Sequence, residues 1–121
     1  MALILVVDDS PTIMSATSKM LTAAGHNVIQ AESGYAGIEK AASEKPDLIL
    51  MDVVMPDING FQATRKITTN PETKHIPVIM LTTKDQETDK VWAMRQGATD
   101  YIVKPPSKEE LLSKIDKALG S

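Results

Sequence analysis

The chain has 121 residues, enough for one domain with a hydrophobic core and too few for a second module. Its composition, 42% hydrophobic and 24% charged, is that of a globular protein, and the absence of cysteine excludes both a disulfide framework and a thiolate metal site. A net charge of -3, no basic stripe, and one Trp, two Tyr and one Phe remove the electrostatic and stacking reasons to expect nucleic-acid binding.

The first apolar run, Leu3 to Val7, reads as a buried strand. It is too short for a signal peptide or a membrane span, and two aspartates follow it. The expected compartment is therefore the cytoplasm, without membrane insertion, and the chain is expected to be a monomer. Ile13, Thr17, Met20, Leu21 and Ala24 then share one helical face, and Gly25 stops that helix. Asn27 to Ala31 is a more polar strand, expected at a sheet edge. Tyr35, Ile38 and Ala42 mark a second helix, with Ser33 as N-cap. Leu48 to Met51 is a third strand and Phe61 to Ile67 a third helix. Pro77 to Leu81 forms a fourth strand, and Asp85 to Gln96 a fourth helix closed by Gly97. On that helix Val91 and Met94 are assigned to the apolar face and Trp92 to the solvent side. Tyr101 to Val103 is a short fifth strand. Ser107 and Glu110 predict a capping box before Leu111, Leu112, Ile115, Ala118 and Leu119 on the last helix.

Apolar strands alternating with helices predict a parallel sheet covered on both faces, an α/β doubly wound three-layer fold over residues 1–121. No output domain is expected after the fifth helix. In such folds, ligands meet the carboxyl ends of the strands. The first strand ends in Asp8-Asp9, the third in Asp52, the fourth in Thr82-Thr83 and the fifth in Lys104-Pro105. Three converging carboxylates repel one another, and one ammonium group cannot neutralise them. A hard divalent cation can, and Mg2+ prefers carboxylates, water and phosphate oxygens, with Mn2+ as the alternative. Asp52 is then the nucleophile for a phosphoryl group, Lys104 and the metal stabilise charge, and the Thr82 hydroxyl donates to a phosphoryl oxygen. Asp57, Asn59 and Asp85 read as caps or turn residues, and His26 and His75 as structural, since their spacing suits no metal.

The segments "LVVDDSP", "LILMDVVMPDINGF", "VIMLTT" and "GATDYIVKP" resemble the signature segments of response-regulator receiver domains. The resemblance spans essentially the whole chain and implies a flavodoxin-like five-stranded sheet of order 2-1-3-4-5 with five helices. It implies Asp52 as phosphoacceptor, Asp9 as direct metal ligand, Asp8 as a ligand through water, and the Val54 carbonyl as a backbone ligand. It implies that Lys104 pairs with the phosphoryl group, that the Lys104–Pro105 bond is cis, and that Thr82 and Tyr101 form a switch. On phosphorylation Thr82 would move inward and Tyr101 would follow, altering the face of the fourth helix, fifth strand and fifth helix, where a downstream partner would bind. The chain departs from the commonest pattern at Thr83, at Pro106 in "VKPPS", and at Val54 and Lys84 beside the site. An apolar Val54 cannot hold an attacking water, which bears on phosphoryl lifetime.

"TTKDQETDKVWAMRQGA" and "GFQATRK" look most like small regulators of type IV pilus twitching motility, implying a CheA-type histidine kinase as phosphodonor. Three other functions compete. A Mg2+-dependent phosphatase usually has a second Asp two residues after its nucleophile, where this chain has Val54. A flavin or nucleotide binder needs a Gly- or Ser/Thr-rich phosphate loop after the first strand, where this chain has "DDSPT". A scaffold that never turns over phosphate would have no use for the intact acid set.

Overall fold

The computed structural model describes residues 2–120. Five strands, β1 (Leu3–Val7), β2 (Asn27–Ala31), β3 (Leu48–Met51), β4 (Val78–Thr82) and β5 (Asp100–Val103), alternate with five helices. These are α1 (Pro11–Ala23), α2 (Gly34–Glu44), α3 (Gly60–Thr69), α4 (Glu87–Arg95) and α5 (Lys108–Ala118). All strand pairs are parallel, in the order β2-β1-β3-β4-β5, so β2 lies at an edge and the order reverses between β1 and β3.

The two-residue period of the strands divides the core into two layers. Leu5, Val7, Ile49, Met51, Val78 and Met80 face α2, α3 and α4, where Ala41, Ala63, Ile67 and Ala93 meet them. Ile4, Val6, Leu48, Leu50, Ile79 and Leu81 face α1 and α5, meeting Met14, Leu21, Leu111 and Ile115. Each fully buried aliphatic side chain contributes about 1.5–3 kcal/mol of transfer free energy, and burial on both faces explains why β1, β3 and β4 lack polar alternation.

Five details depart from the sequence reading. Tyr35 lies on the outside of α2, whose buried face is Gly34, Gly37 and Ala41. The helix lies so close to β1 that a Cβ on Gly37 would sit 2.8 Å from Val7 Cγ2, and only small residues fit there. In α1 the buried line is Met14, Thr17 and Leu21, while Ala24 is exposed. On α4, Val91 and Met94 are about as exposed as Trp92 (46%, 50% and 49%). That helix of nine residues packs through Ala93 alone, which leaves no wide apolar face to fill. It also begins at Glu87, with the Asp89 carboxylate accepting from Gln86 N, rather than at Asp85. Before α5, Ser107 Oγ accepts from Glu110 N at 3.0 Å, but the Glu110 carboxylate faces Lys114 at 3.7 Å instead of completing the box.

Candidate functional site

Strand register builds the site. Val7 pairs with Met51 and Met51 with Met80, so the residues that follow β1 and β3 emerge side by side. Asp52 N donates to Val7 O at 3.0 Å, which sets Asp8 and Asp52 level. Thr82 pairs with Val103, and Lys104 N donates to Thr82 O at 2.9 Å, which turns Lys104 over the same edge. The Lys104–Pro105 peptide bond is cis.

Carboxylate oxygens of Asp8, Asp9 and Asp52 lie within 4.8 Å of one another. Lys104 Nζ sits 2.5 Å from Asp8 Oδ2 and 3.3 Å from Asp52 Oδ2, in a pocket that leaves the lysine side chain 6% exposed. The three acids do not have equal freedom. Both oxygens of Asp8 are engaged, Oδ2 with Lys104 and Oδ1 accepting from Ser10 N at 2.9 Å. Asp52 Oδ1 accepts from Val53 N at 2.7 Å, which leaves Oδ2 as its more open oxygen. Asp9 is exposed at the mouth. One ammonium group serves two buried carboxylates, so the cluster still carries excess negative charge, and three hard oxygens this close suit a hard divalent cation. Asp9 and Asp52 could hold it, whereas both Asp8 oxygens already have partners. The Val54 side chain is 53% exposed and leaves the mouth open.

Thr82 is fully buried, and its Oγ1 accepts from Lys84 N at 3.3 Å. Tyr101 is also buried, and its hydroxyl donates to Lys84 O at 2.7 Å. The ring therefore lies in the inward position. Burial first, then the carboxylates of Asp89, Asp52 and Asp85, push the Tyr101 hydroxyl up to about 12, so it remains a donor. Lys84 thus ties the two expected switch residues together through its own backbone.

The residues read as bland are mostly so. Asn59 Oδ1 accepts from Gln62 N at 2.9 Å and Asn59 N donates to Gln62 Oε1 at 3.2 Å, a reciprocal cap on α3. His26 Nδ1 accepts from Ala2 N. Asp57 is a cap too, but of another helix: it accepts from Gly34 N (2.9 Å) and Tyr35 N (2.8 Å) at the start of α2. The Tyr35 amide above all, with that of Gly34, lowers its carboxyl from 3.8 to about 2.

Gly60 is the site residue that sequence reasoning missed. A Cβ there would lie 1.9 Å from Asp52 O, and Gly60 N donates to Val53 O at 2.8 Å. The loop carrying the central aspartate is folded back on itself at a distance that only glycine permits. The available signal was a glycine at the first position of a helix already capped by Asn59, where capping alone does not call for one.

Comparison with known proteins agrees with this geometry. The family described as response regulator receiver domain matches residues 4–116. The chain belongs to the response regulator receiver domain family. It is 58% identical over 120 residues to Protein PilH of Pseudomonas aeruginosa, covering 99% of both chains. It is 39% identical over 112 residues to Protein PilG of the same organism, covering 93% of this chain and 83% of that protein. These relatives match the narrower resemblance to the pilus regulators. The solved receiver domain of the sensor histidine kinase PA1611 of Pseudomonas aeruginosa has a magnesium ion coordinated in its active site cleft. It aligns with a TM-score of 0.92 at 30% identity, covering 99% of this chain and 98% of that one. Receiver domains act as signalling switches that accept phosphoryl groups from histidine kinases and bind Mg2+ at their acidic pocket. Among the described residues, no helix is long and apolar enough to cross a membrane.

Proposed function

We propose that the chain is a stand-alone response regulator that takes a phosphoryl group from a CheA-type histidine kinase onto Asp52 and thereby changes what it binds, within control of type IV pilus twitching motility. The observation that carries this reading is the meeting of three carboxylates within 4.8 Å of one another and one buried ammonium group that bridges two of them. Val53 N fixes Asp52 Oδ1, so Oδ2 is the attacking oxygen. As its bond to phosphorus forms, the bond to the donor imidazole nitrogen breaks, and that nitrogen keeps the electron pair. Lys104 already faces Oδ2 and needs only to turn from Asp8 towards the incoming phosphoryl oxygens. Asp9, Asp52 and the Val54 carbonyl, with Asp8 through water, would hold Mg2+, which would supply further positive charge to the transfer.

The output follows from Lys84. The Thr82 hydroxyl accepts from Lys84 N, and its own proton is available to a phosphoryl oxygen. A shift of Thr82 towards the phosphoryl group therefore moves Lys84, and with it the carbonyl that holds Tyr101. That displacement reaches α4, β5 and α5, where Val91 and Met94 are exposed for a downstream partner.

Intact mass after incubation with Mg2+ and acetyl phosphate tests the reading. One added phosphoryl group is expected on the wild type and none on Asp52→Asn. Absence of a gain even with a histidine kinase would sink the proposal, and steady phosphate release from many substrates would favour a phosphatase. In a twitching-defective deletion strain of the source organism, the wild-type gene should restore twitching motility and Asp52→Asn should not.

A further inference from the structure

A second feature lies away from the acidic cluster. A groove of about 520 Å³ runs between α3 and α4 and reaches the start of α2. Tyr35, Ile58, Phe61 and Trp92 line it, so three of the chain's four aromatic residues meet at one surface. Tyr35 is 56% exposed and Trp92 49%. Phe61 packs partly against the core, but the core has no use for the other two rings: α2 packs through glycine and alanine, and α4 through Ala93. Arg65 and Lys66 complete the wall, both exposed and neither within an ion pair among the described residues.

The charge of this groove opposes that of the molecule. The chain carries -3, yet no Asp or Glu lines the groove. Two acids lie near it with their carboxylates already engaged, Asp57 at the rim by Gly34 N and Tyr35 N, and Asp89 by Gln86 N. The walls are also held in place. Thr68 Oγ1 on α3 donates to Gln96 O at the end of α4 at 2.6 Å, and the Asn59–Gln62 cap fixes the entry to α3. Trp, Tyr and Arg on a preformed concave surface are the residues that dominate protein–protein binding energies.

We propose that this groove docks a short acidic segment of a partner protein, anchored by a large apolar side chain between Phe61 and Trp92 and steered by Arg65 and Lys66. A second copy of the chain fits poorly, because a two-fold contact through this surface sets Arg65 and Lys66 against their own counterparts. The groove shares no residue with the acidic cluster.

Selection of a random peptide display library on the full-length chain tests the proposal without added phosphate. The selected peptides should combine Asp or Glu with Leu, Phe or Trp. Trp92 is the only tryptophan, so the synthesised winner, made without tryptophan, should shift its emission saturably and less strongly at high salt. Arg65→Glu combined with Lys66→Glu should weaken binding about tenfold or more, a change of two exposed side chains whose circular dichroism should match the wild type. Thr22→Ala, exposed on α1 across the sheet from the groove, should leave affinity unchanged. Selected peptides without acidic enrichment, an equal response to the peptide with Lys in place of each acid, or binding that survives the double charge reversal would each overturn the proposal. Emission that changes with protein concentration alone would replace it with self-association.

Discussion

The two loops that flank the acidic cluster are held in opposite ways. Residues 52–59, between β3 and α3, are held along their length. Val53 N grips the Asp52 carboxylate, Gly60 closes back onto Val53 O, Asp57 is bonded to the start of α2, and Asn59 caps α3. Residues 83–86, between β4 and α4, are all exposed; Lys84 is held by the Thr82 and Tyr101 hydroxyls, and Gln86 only by its capping bonds with α4. A phosphoacceptor must keep its geometry, and a switch must have a second position within a few kcal/mol. The well-bonded loop carries the first task and the sparsely bonded one the second.

The largest effect is expected from the closest contact in the held loop. Gly60→Ala places a methyl group on the Asp52 backbone, 1.9 Å from its carbonyl oxygen, and rigid backbone cannot yield as a flexible side chain does. A loss of about 3 kcal/mol or more is expected, read as a fall in denaturant midpoint, together with loss of phosphoryl uptake. Full stability in Gly60→Ala would show that the loop is looser than described. Next comes Lys104→Met, which leaves the Asp8 and Asp52 carboxylates facing each other without their shared cation. Without divalent metal the loss should be about 3 kcal/mol, and Mg2+ should recover a larger share of stability in the variant than in the wild type. An equal Mg2+ response in the two proteins would separate the lysine from the metal site.

What the sequence could convey differs between these loops in the same way. Asp8, Asp9, Asp52, Thr82 and Lys104 were legible because each ends an apolar run, and parallel register carries such ends to one edge. Strand positions were legible for the same reason. The role of Gly60 was not, because a close approach between residues eight apart in the chain leaves no periodic trace. Nor was the capping of α2 by Asp57, a pairing across more than twenty residues in which an ordinary turn aspartate does the work of a helix cap. The apolar faces assigned to Tyr35, Val91 and Met94 went astray on helices whose buried positions are glycine and alanine. Periodicity of large residues reports the core only where helix and sheet stand far enough apart to need them.

In the sparsely bonded loop, Tyr101→Phe removes one hydrogen bond to Lys84 O and keeps the ring in its buried place. The expected cost is about 1 kcal/mol, smaller than either change above. The more telling measurement is hydrogen exchange. Amides of residues 83–86 should exchange faster in the variant, while those of residues 57–60 should be unaffected. Equal acceleration in both loops would mean that they open as one unit, and the division between rigid and switching sides would fail.

The smallest effect belongs to Asp57→Asn, at an exposed position where solvent screens the carboxylate. Its value lies in its pH dependence. The folded carboxyl is lowered from 3.8 to about 2, chiefly by the Tyr35 amide, so folding favours the ionised form. This contribution is complete above the unfolded value of 3.8 and is lost as pH falls towards about 2. The wild type should therefore melt slightly above Asp57→Asn at neutral pH, by a gap that narrows below pH 3.8 and closes near pH 2. A gap that stays constant through that window would assign the role of Asp57 to hydrogen-bond geometry, which asparagine largely keeps, rather than to its charge. Because Asp57 follows Asp52 in the same loop, the same variant also asks whether α2 helps to hold the phosphoacceptor. If it does, phosphoryl uptake from acetyl phosphate should slow at neutral pH, and an unchanged rate would confine the role of Asp57 to α2.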